Sequence, residues 1–437
     1  MQKVQPKILP GFMELLPSDQ ILFNNMIDTI RNVYEKFGFL PLDTPVIEHS
    51  EVLLAKAGGE TEKQIYRFNK GDNDLSLRFD LTVPLARYVA MHYNDLAFPF
   101  KRYQMSKVFR GERPQKGRFR EFYQCDIDII GNEVLPLVYD AEIPAIIYEL
   151  FKQLNFGDFI IRINNRKILN GLFSYLNLDN LSTDVMRIID KIDKIGKDNV
   201  IAEFKDMNLN DEQINTIINF ITINGNNDEI ICYLKQNNID NEVYINGVNE
   251  LETVIKYIRN FGLNESNFKI DLTIARGLDY YTGTVYETNL IKYPKLGSIC
   301  SGGRYENLTG YYTDQKLPGI GISIGLTRLF SQLKEEKIIE SDRNSLLDVL
   351  VIPFDDNYMD YTLKVVNNLR DNSFKVDVYY GNKGMKQKMK YANRLGVPYV
   401  ILIGTDEVEK NVVSLKNMIT GEQEIVNIDN LLDVLNK

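Results

Sequence analysis

The side chains best suited to chemistry lie between Lys101 and Gly131, in two strand-like stretches joined by a basic loop. From Arg120 onward one parity gives Arg120, Phe122, Gln124, Asp126 and Asp128, and the other gives Glu121, Tyr123, Cys125, Ile127 and Ile129. Successive strand side chains point to opposite faces, so the second set packs a core while the first lines something polar. The ordinary alternative is the solvent side of an antiparallel sheet, but solvated strands favour Thr, Lys and Glu over this mixture. The joining loop, 111–119, is longer than a hairpin needs, and long loops in compact domains are usually functional. From Arg120 to Asp128 the strand spans roughly 26 Å at about 3.3 Å per step, room for a nucleotide and a second small ligand end to end.

Arg110, Arg120, Arg276 and Arg328 stand at predicted strand ends or helix starts. Guanidinium is a planar, permanently charged fork matched to phosphate oxygens, so this set suits a nucleoside triphosphate, with Phe122 as a stacking platform for its base. Neither GxxxxGK[ST] nor GxGxxG after a strand occurs, so side-chain cations must hold the phosphates. Gln124 can accept from an ammonium or donate to a carboxylate, and Asp128 can pair with a cationic or N–H-donating group.

Composition narrows the classes. The chain has 437 residues, 44% hydrophobic and 25% charged, which is ordinary for a soluble globular protein of several domains. A net charge of −9 argues against indiscriminate polyanion binding. Residues 101–120 are locally basic, however, with Lys101, Arg102 and Lys107 leading into the loop arginines against the single acid Glu112, which points to a specific phosphate partner. Cys125, Cys232 and Cys300 are too scattered for a disulfide framework or metal site, and with only two His residues a Ser-His-Asp triad is improbable. The start lacks the apolar core of a signal peptide and no run reaches a membrane span, so a cytoplasmic protein without membrane contact is expected.

These residues need elements to hold them. Apolar spacing predicts a helix from Pro17 to Phe37, ended by Gly38. FLPLDTPVIEH then reads as one extended segment whose prolines Pro41 and Pro45 suit an edge strand. Residues 65–68 and 75–79 read as a hairpin around KGDND. Asp80 and Thr82 precede a helix through Leu85 and Val89; Thr82 sits at the N-cap position, and the pair reads equally well as caps or as ligands. A further helix is expected at about 137–154, then a mostly helical insertion over 165–262, with helices near 185–205, 211–222 and 249–261. Ile270, Leu272 and Ile274 predict a strand delivering Arg276, and TVYETNL a second strand after the Asp279-Tyr280-Tyr281 bend. Gly302 and Gly303 mark a close backbone approach or a turn. GIGISIG followed by a helix completes an antiparallel meander, giving an α+β core. Beyond a charged linker, residues 345–437 alternate strands with helices at about 358–371 and 384–395 as a small α/β domain. Its second helix is rich in Lys383, Lys386, Lys388, Lys390 and Arg394, either a solvated face or a nucleic-acid contact.

VFRGERPQKGRFREFYQCDIDIIG resembles motif 2 of the class II aminoacyl-tRNA synthetases in its histidyl form, and RGLDYYTGTVYE with SGGRYENL resembles the two signature peptides of the histidyl family. PGIGISIGLTRLF is similar to motif 3, and the segment around Pro45 to motif 1. The resemblance spans nearly the whole chain except 165–262. It implies a catalytic core in two parts, 1–164 and 263–336, and an anticodon-binding domain at 345–437. It implies a histidine–tRNA ligase that uses ATP, with Mg2+ on its phosphates, as a cytoplasmic homodimer paired through the Pro45 strand. Asp80, Thr82 and Gln124 would hold the histidine α-amino group. Asp128 and Tyr281 would read the imidazole, with Tyr280, Gly302 and Gly303 completing the pocket. Arg110 would bind the α-phosphate, Arg276 would bridge it to the histidine carboxylate, and Arg120 and Arg328 would contact triphosphate and adenine. The family's motif 3 commonly has an acid before its arginine, where this chain has Thr327. Three other readings compete: a histidine-sensing regulatory relative, a tRNA-binding adaptor, and a synthetase of different specificity. Retention of Arg110, Arg276, Arg328 and the terminal domain speaks against the first, and the Asp128/Tyr281 pair against the last.

Overall fold

The computed structural model describes residues 3–55, 60–115, 117–275, 281–306, 308–341, 343–381 and 383–436. By internal contacts the chain divides into two units, Met1–Met13 with Met26–Ile339, and Glu14–Asn25 with Glu340–Lys437.

In the first unit the strands are β1 (Leu40–Pro41), β2 (Ile47–His49), β3 (Arg67–Lys70), β4 (Asn73–Leu77), β5 (Phe100–Phe109), β6 (Glu121–Ile130), β7 (Phe159–Asn165), β8 (Phe268–Ile270), β9 (Tyr281–Leu290), β10 (Cys300–Tyr305) and β11 (Gly319–Gly325). Eight of them form one sheet in the order β1-β5-β6-β11-β10-β9-β7-β8, and β2-β4-β3 form a small second sheet. The β5–β6 hairpin and the β9-β10-β11 meander are antiparallel throughout, as the short joins between them require. Only the β1–β5 and β7–β8 pairs in this sheet run parallel.

Period-two alternation builds this sheet. On one face Cys125, Ile127, Ile129, Ile320, Ile322 and Ile324 are buried as core. Tyr34, from the helix Pro17–Lys36, donates to the Cys125 carbonyl across that face at 3.2 Å. The other face of β11 is all small: Gly319, Gly321, Ser323 and Gly325. That choice makes room for larger side chains on its neighbours. A Cβ on Gly321 would lie 2.3 Å from Asp128 Oδ1, and one on Gly319 would lie 2.3 Å from the Tyr305 ring.

A buried ion pair ties the helix Val138–Leu154 to the meander. Arg304 Nε donates to Asp140 Oδ1 at 3.0 Å, and the same carboxylate oxygen accepts from Thr284 Oγ1 at 2.7 Å. Removing one partner of such a pair strands the other charge, which costs about 3–5 kcal/mol.

Several expectations need correction. FLPLDTPVIEH is two short strands rather than one: β1 joins the large sheet and β2 the small one. The 65–79 hairpin turns tightly at Gly71-Asp72, with Gly71 at φ +60°, so its strands run further into KGDND than expected. The strand leading toward Arg276 stops at Ile270. Asp271 Oδ1 accepts from Thr273 N and Oγ1, an Asx-type turn that bends the chain although Leu272 and Ile274 remain buried. The helix after Asp80 runs Thr82–Met91, so Thr82 is its first residue and Leu81 its N-cap, while Asp80 Oδ1 accepts from Thr82 N and Val83 N. In the Asn-rich stretch the helices Asn227–Gln236 and the first turns of Glu242–Asn260 went unread; both start on Asn caps, Asn226 and Asn241.

In the second unit β12 (Val349–Pro353), β13 (Val376–Val378), β14 (Tyr399–Ile403), β15 (Val412–Asn417) and β16 (Gln423–Asn427) form a sheet in the order β13-β12-β14-β15-β16. The first three strands are parallel and the last two add an antiparallel hairpin that the sequence reading missed. Ser341, in the stretch read as linker, donates to Asp19 at 2.7 Å, consistent with Glu14–Asn25 belonging to this unit.

Candidate active site

The polar parity of β6 is not a solvent face. Gln124, Asp126 and Asp128 are 7%, 3% and 4% exposed. Register explains why. On β5, Arg102, Gln104 and Ser106 stand opposite Asp128, Asp126 and Gln124, and on β11, Gly321 and Ser323 oppose Asp128 and Asp126. The result is a polar patch between two neighbouring strands, roofed by other parts of the unit.

Asp128 is held at both ends: Oδ1 accepts from Tyr305 OH at 2.9 Å and Oδ2 pairs with Arg102 Nη2 at 2.6 Å. Burial raises its pKa, with Arg102 and Tyr305 opposing the shift. Asp128, Asp126, Thr82, Tyr281 and Tyr305 line a cavity of about 30 Å³. Tyr281 and Ser323 connect it to a larger cavity of about 490 Å³, which also takes in Gln124. That larger cavity is lined by Arg110, Arg118, Phe119, Phe122, Cys300, Ser301, Arg328 and Gln332, with Glu112 as its one acid among the described residues.

Arg110 is pre-set within it. Its Nε donates to the Phe79 carbonyl at 3.2 Å, and its guanidinium lies 4.4 Å from the Phe79 ring centroid and 5.0 Å from that of Phe122. Stacking between two rings fixes the plane of the fork. Arg328 is steered by a bond from Nη2 to the Leu296 carbonyl at 3.1 Å. Beside it, Thr327 Oγ1 accepts from Tyr123 N at 2.8 Å and so pins the helix Leu326–Glu335 to β6. Thr327 therefore anchors Arg328 through the backbone.

The predicted set is brought together in part. Thr82, Gln124, Asp128, Tyr281, Arg110, Phe122 and Arg328 line the two joined cavities. Gly303 faces them, since a Cβ there would meet Tyr281 Cγ at 3.0 Å, whereas Gly302 sits on the opposite parity against Ile322. Asp80 serves the start of the helix beside Thr82. Arg120 precedes β6, so strand parity does not orient it; its Nε bonds the Glu112 carbonyl and its stem lies over Gly11, outside the cavity lining. Arg276 and Tyr280 lie outside the described residues. The basic patch also thins out. Arg102 is buried against Asp128, Lys101 donates to Glu142 at 2.9 Å and Lys107 to Glu121 at 2.7 Å, while Arg118 pairs with Glu112 at 3.2 Å. Arg102, Tyr305 and Ser323 are site residues the sequence reading missed. Pairing the hairpin outward from its loop would have set Arg102 against Asp128, and the Gly/Ser parity of β11 marked Ser323.

A mainly antiparallel sheet with an arginine-lined cavity beside a buried acidic pocket, on a chain with an α/β terminal unit, is the architecture of a class II aminoacyl-tRNA synthetase. The family model described as histidyl-tRNA synthetase matches residues 11–329, and that of an anticodon binding domain matches residues 348–437. The histidine–tRNA ligase of Clostridium tetani is 61% identical over 99% of this chain and 98% of its own length, and that of Finegoldia magna is 50% identical over 99% and 100%. The crystal structure of histidyl-tRNA synthetase from Nostoc sp. PCC 7120 superposes with a TM-score of 0.92 at 44% identity, covering 99% of both chains. The chain belongs to the histidyl-tRNA synthetase family.

Proposed function

We propose that this histidine–tRNA ligase activates L-histidine with ATP in the joined cavities and then transfers it to the 3′ end of its tRNA. The observation that carries this assignment of the site is the buried polar face of β6, acidic at the Asp128 end and opening beside Gln124 into an arginine-lined cavity. A histidine oxygen attacks the α-phosphorus, the bond from that phosphorus to the bridging oxygen breaks, and pyrophosphate leaves with the electron pair. A hydroxyl of the terminal tRNA ribose then attacks the acyl carbon, the bond from that carbon to the phosphate oxygen breaks, AMP leaves with the electron pair, and the hydroxyl proton passes to a phosphate oxygen of the departing AMP. No general base is needed for the first step; orientation and fixed positive groups supply the acceleration. Arg110 meets the α-phosphate, Arg276 is assigned to bridge that phosphate and the histidine carboxylate, Arg328 serves the triphosphate and adenine end, and Phe122 stacks the base; Arg120, outside the cavity lining, is given no contact. Asp128 and Tyr281, with Tyr280, read the imidazole, and Thr82, Gln124 and Asp80 face the amino group.

Mg2+ would be held with the ATP phosphates. Among the described residues no group of three or more His, Cys, Asp or Glu could hold a metal alone. Mg2+ commonly takes one or two carboxylates beside substrate phosphates and keeps its waters. Glu112, paired with Arg118 at 3.2 Å, fits as the protein carboxylate. When bound, the ion neutralises phosphate charge.

No helix among the described residues is long and apolar enough to cross a membrane. The proposed setting, carried over from the family resemblance, is a homodimer in the cytoplasm. Leu40, Val46 and Ile47, exposed on or beside β1 and β2, supply apolar edge surface for that pairing. Sedimentation should give twice the 50.5 kDa chain mass, and a monomer at micromolar concentration would refute the pairing.

ATP–pyrophosphate exchange, run with each amino acid in turn, tests the whole reading. Exchange should require histidine. Exchange supported instead by proline, threonine or glycine would overturn the pocket assignment.

A further inference from the structure

Asp126 has no part in the scheme above, yet it is the acceptor in the small pocket best prepared for a ligand. It is 3% exposed and lines the cavity with Thr82, Asp128 and Tyr281. Its Oδ1 meets no donor among the described residues, and neither does Gln124 Oε1. Both orientations trace to one hydroxyl. Gln124 Nε2 donates to Ser323 Oγ at 2.6 Å, which turns Oε1 the other way. Ser323 stands opposite Asp126 across the β6–β11 pair, where its hydroxyl, having accepted there, has its single hydrogen left for the carboxyl and lowers that group's pKa. Buried acceptors without donors carry a desolvation penalty that a donor-bearing ligand relieves.

The neighbouring carboxylates are differently committed. Asp128 has Tyr305 on one oxygen and Arg102 on the other. Asp80 spends Oδ1 on two backbone N–H groups. Arg102 makes its close contact with Asp128, so among the described residues no cation touches Asp126. A carboxylate lacking a cation, beside an amide oxygen lacking a donor, is a seat for an ammonium group.

We propose that Asp126 Oδ1, beside Gln124 Oε1, receives the α-ammonium of the histidine substrate, and that Ser323 is the positioning residue for both acceptors. This rests on the histidine reading of the pocket and assigns it a further binding residue. Electrostatics agree with the geometry. Burial pushes the Asp126 carboxyl up to about 7, and Asp128 and Asp80 push the same way against Arg102 on β5 and Ser323 on β11. The thiols of Cys125 on β6 and Cys300 on β10 lie within its field and are themselves raised by burial. Seating an ammonium requires the ionised form, so the acid O–H proton leaves to the buffer as the ammonium N–H takes its place. Histidine affinity therefore climbs as pH rises toward 7 and levels off above it.

The test compares two ligands on the full-length chain by titration calorimetry: histidine, and imidazolepropionate, which keeps the ring and carboxylate but lacks the amino group. Asp126→Asn should weaken histidine about ten- to hundredfold, the worth of a hydrogen bond to a charged group, and flatten the Asp126 limb of its pH profile. Imidazolepropionate binding should change less than about twofold, since the lost contact is not one it makes. Ser323→Ala, a milder change, should weaken histidine about three- to tenfold with the same selectivity. Equal losses for both ligands would mean that Asp126 reads the ring or only shapes the pocket, and would overturn the proposal. So would an unchanged histidine affinity in Asp126→Asn. If the unsubstituted chain failed to bind histidine, the histidine reading itself would fall, and this inference with it.

Discussion

Gly321 shows how tightly the site is built at the scale of one residue. A methyl group there would meet Asp128 Oδ1 at 2.3 Å and the Ile127 carbonyl at 2.4 Å, so the carboxylate must leave Tyr305 and Arg102. Misplacing a binding group by about 1 Å can cost about a hundredfold in rate. Gly321→Ala is accordingly expected to raise the histidine KM in pyrophosphate exchange by about ten- to hundredfold while the ATP KM stays within about twofold. An unchanged histidine KM would show that Asp128 does not read the substrate. Arg110→Lys probes the other cavity. Lysine keeps the charge but loses the fork and the stack between Phe79 and Phe122, so kcat for exchange should fall about a hundredfold or more, as when a fixed donor to developing charge is removed. Near-normal exchange would remove Arg110 from the α-phosphate. Arg276→Ala should cripple exchange more than it weakens histidine binding. Strand parity was enough to put Gln124, Asp126 and Asp128 on one face, because it depends only on counting. It failed at Arg120, which lies before the strand, and it left Arg102 unassigned because a partner across the hairpin requires register as well as parity.

Elements succeed or fail as units when a single buried group joins them. Arg162 on β7 donates from Nε to Asp271 just past β8, from Nη1 to Asp193 and from Nη2 to Thr273, each at 2.8 Å. Burial alone would raise the Asp271 carboxyl, but Arg162 outweighs it and holds the pKa at about 2. A depressed carboxyl contributes stability above its unfolded pKa of about 4 and loses it as pH falls toward 2. The contribution at neutral pH is about 2 kcal/mol from the size of that shift. Asp271→Asn should therefore lower the denaturant midpoint at pH 7, and the gap from the unsubstituted chain should close between about pH 4 and pH 2. A gap that persists unchanged at pH 2 would show that the loss is one of packing. This turn is also where reading elements from alternation broke down. Ile270, Leu272 and Ile274 keep period two, yet the backbone leaves the sheet after Ile270 because the Asp271 side chain offers Thr273 N–H a nearer partner than a strand does. The helix Asn227–Gln236 was hidden for the converse reason: Asn226 caps it from within a run of asparagines that looked like loop.

At the scale of the molecule, an acidic chain must hold a polyanion, so its positive surface has to be local. Net charge is −9, and favourable contact with tRNA depends on patches whose cations are not already spent. The lysine-rich helix Met385–Leu395 illustrates the difference. Lys388, which sequence alone grouped with its neighbours, is 4% exposed and donates to the Pro353 carbonyl at 2.7 Å and to that of Phe354 at 3.3 Å. It closes the end of β12, and burial keeps its ammonium away from phosphate. Lys386, Lys390 and Arg394 on the same helix are exposed. If this unit, which matches the anticodon-binding model, contacts tRNA through that helix, each phosphate-facing cation removed should weaken charging and lower the slope of log kcat/KM against log salt by about 1. Lys386→Ala with Lys390→Ala should thus cut tRNA charging and flatten its salt dependence while leaving ATP–pyrophosphate exchange, a reaction of the first unit, unaltered. Lys388→Met should do the reverse, lowering the melting temperature with the salt slope unchanged, because a buried amine that satisfies two carbonyls is structural. Should the double variant charge tRNA with an unaltered salt slope, the lysines face only water, and the tRNA footprint must be sought elsewhere on this unit.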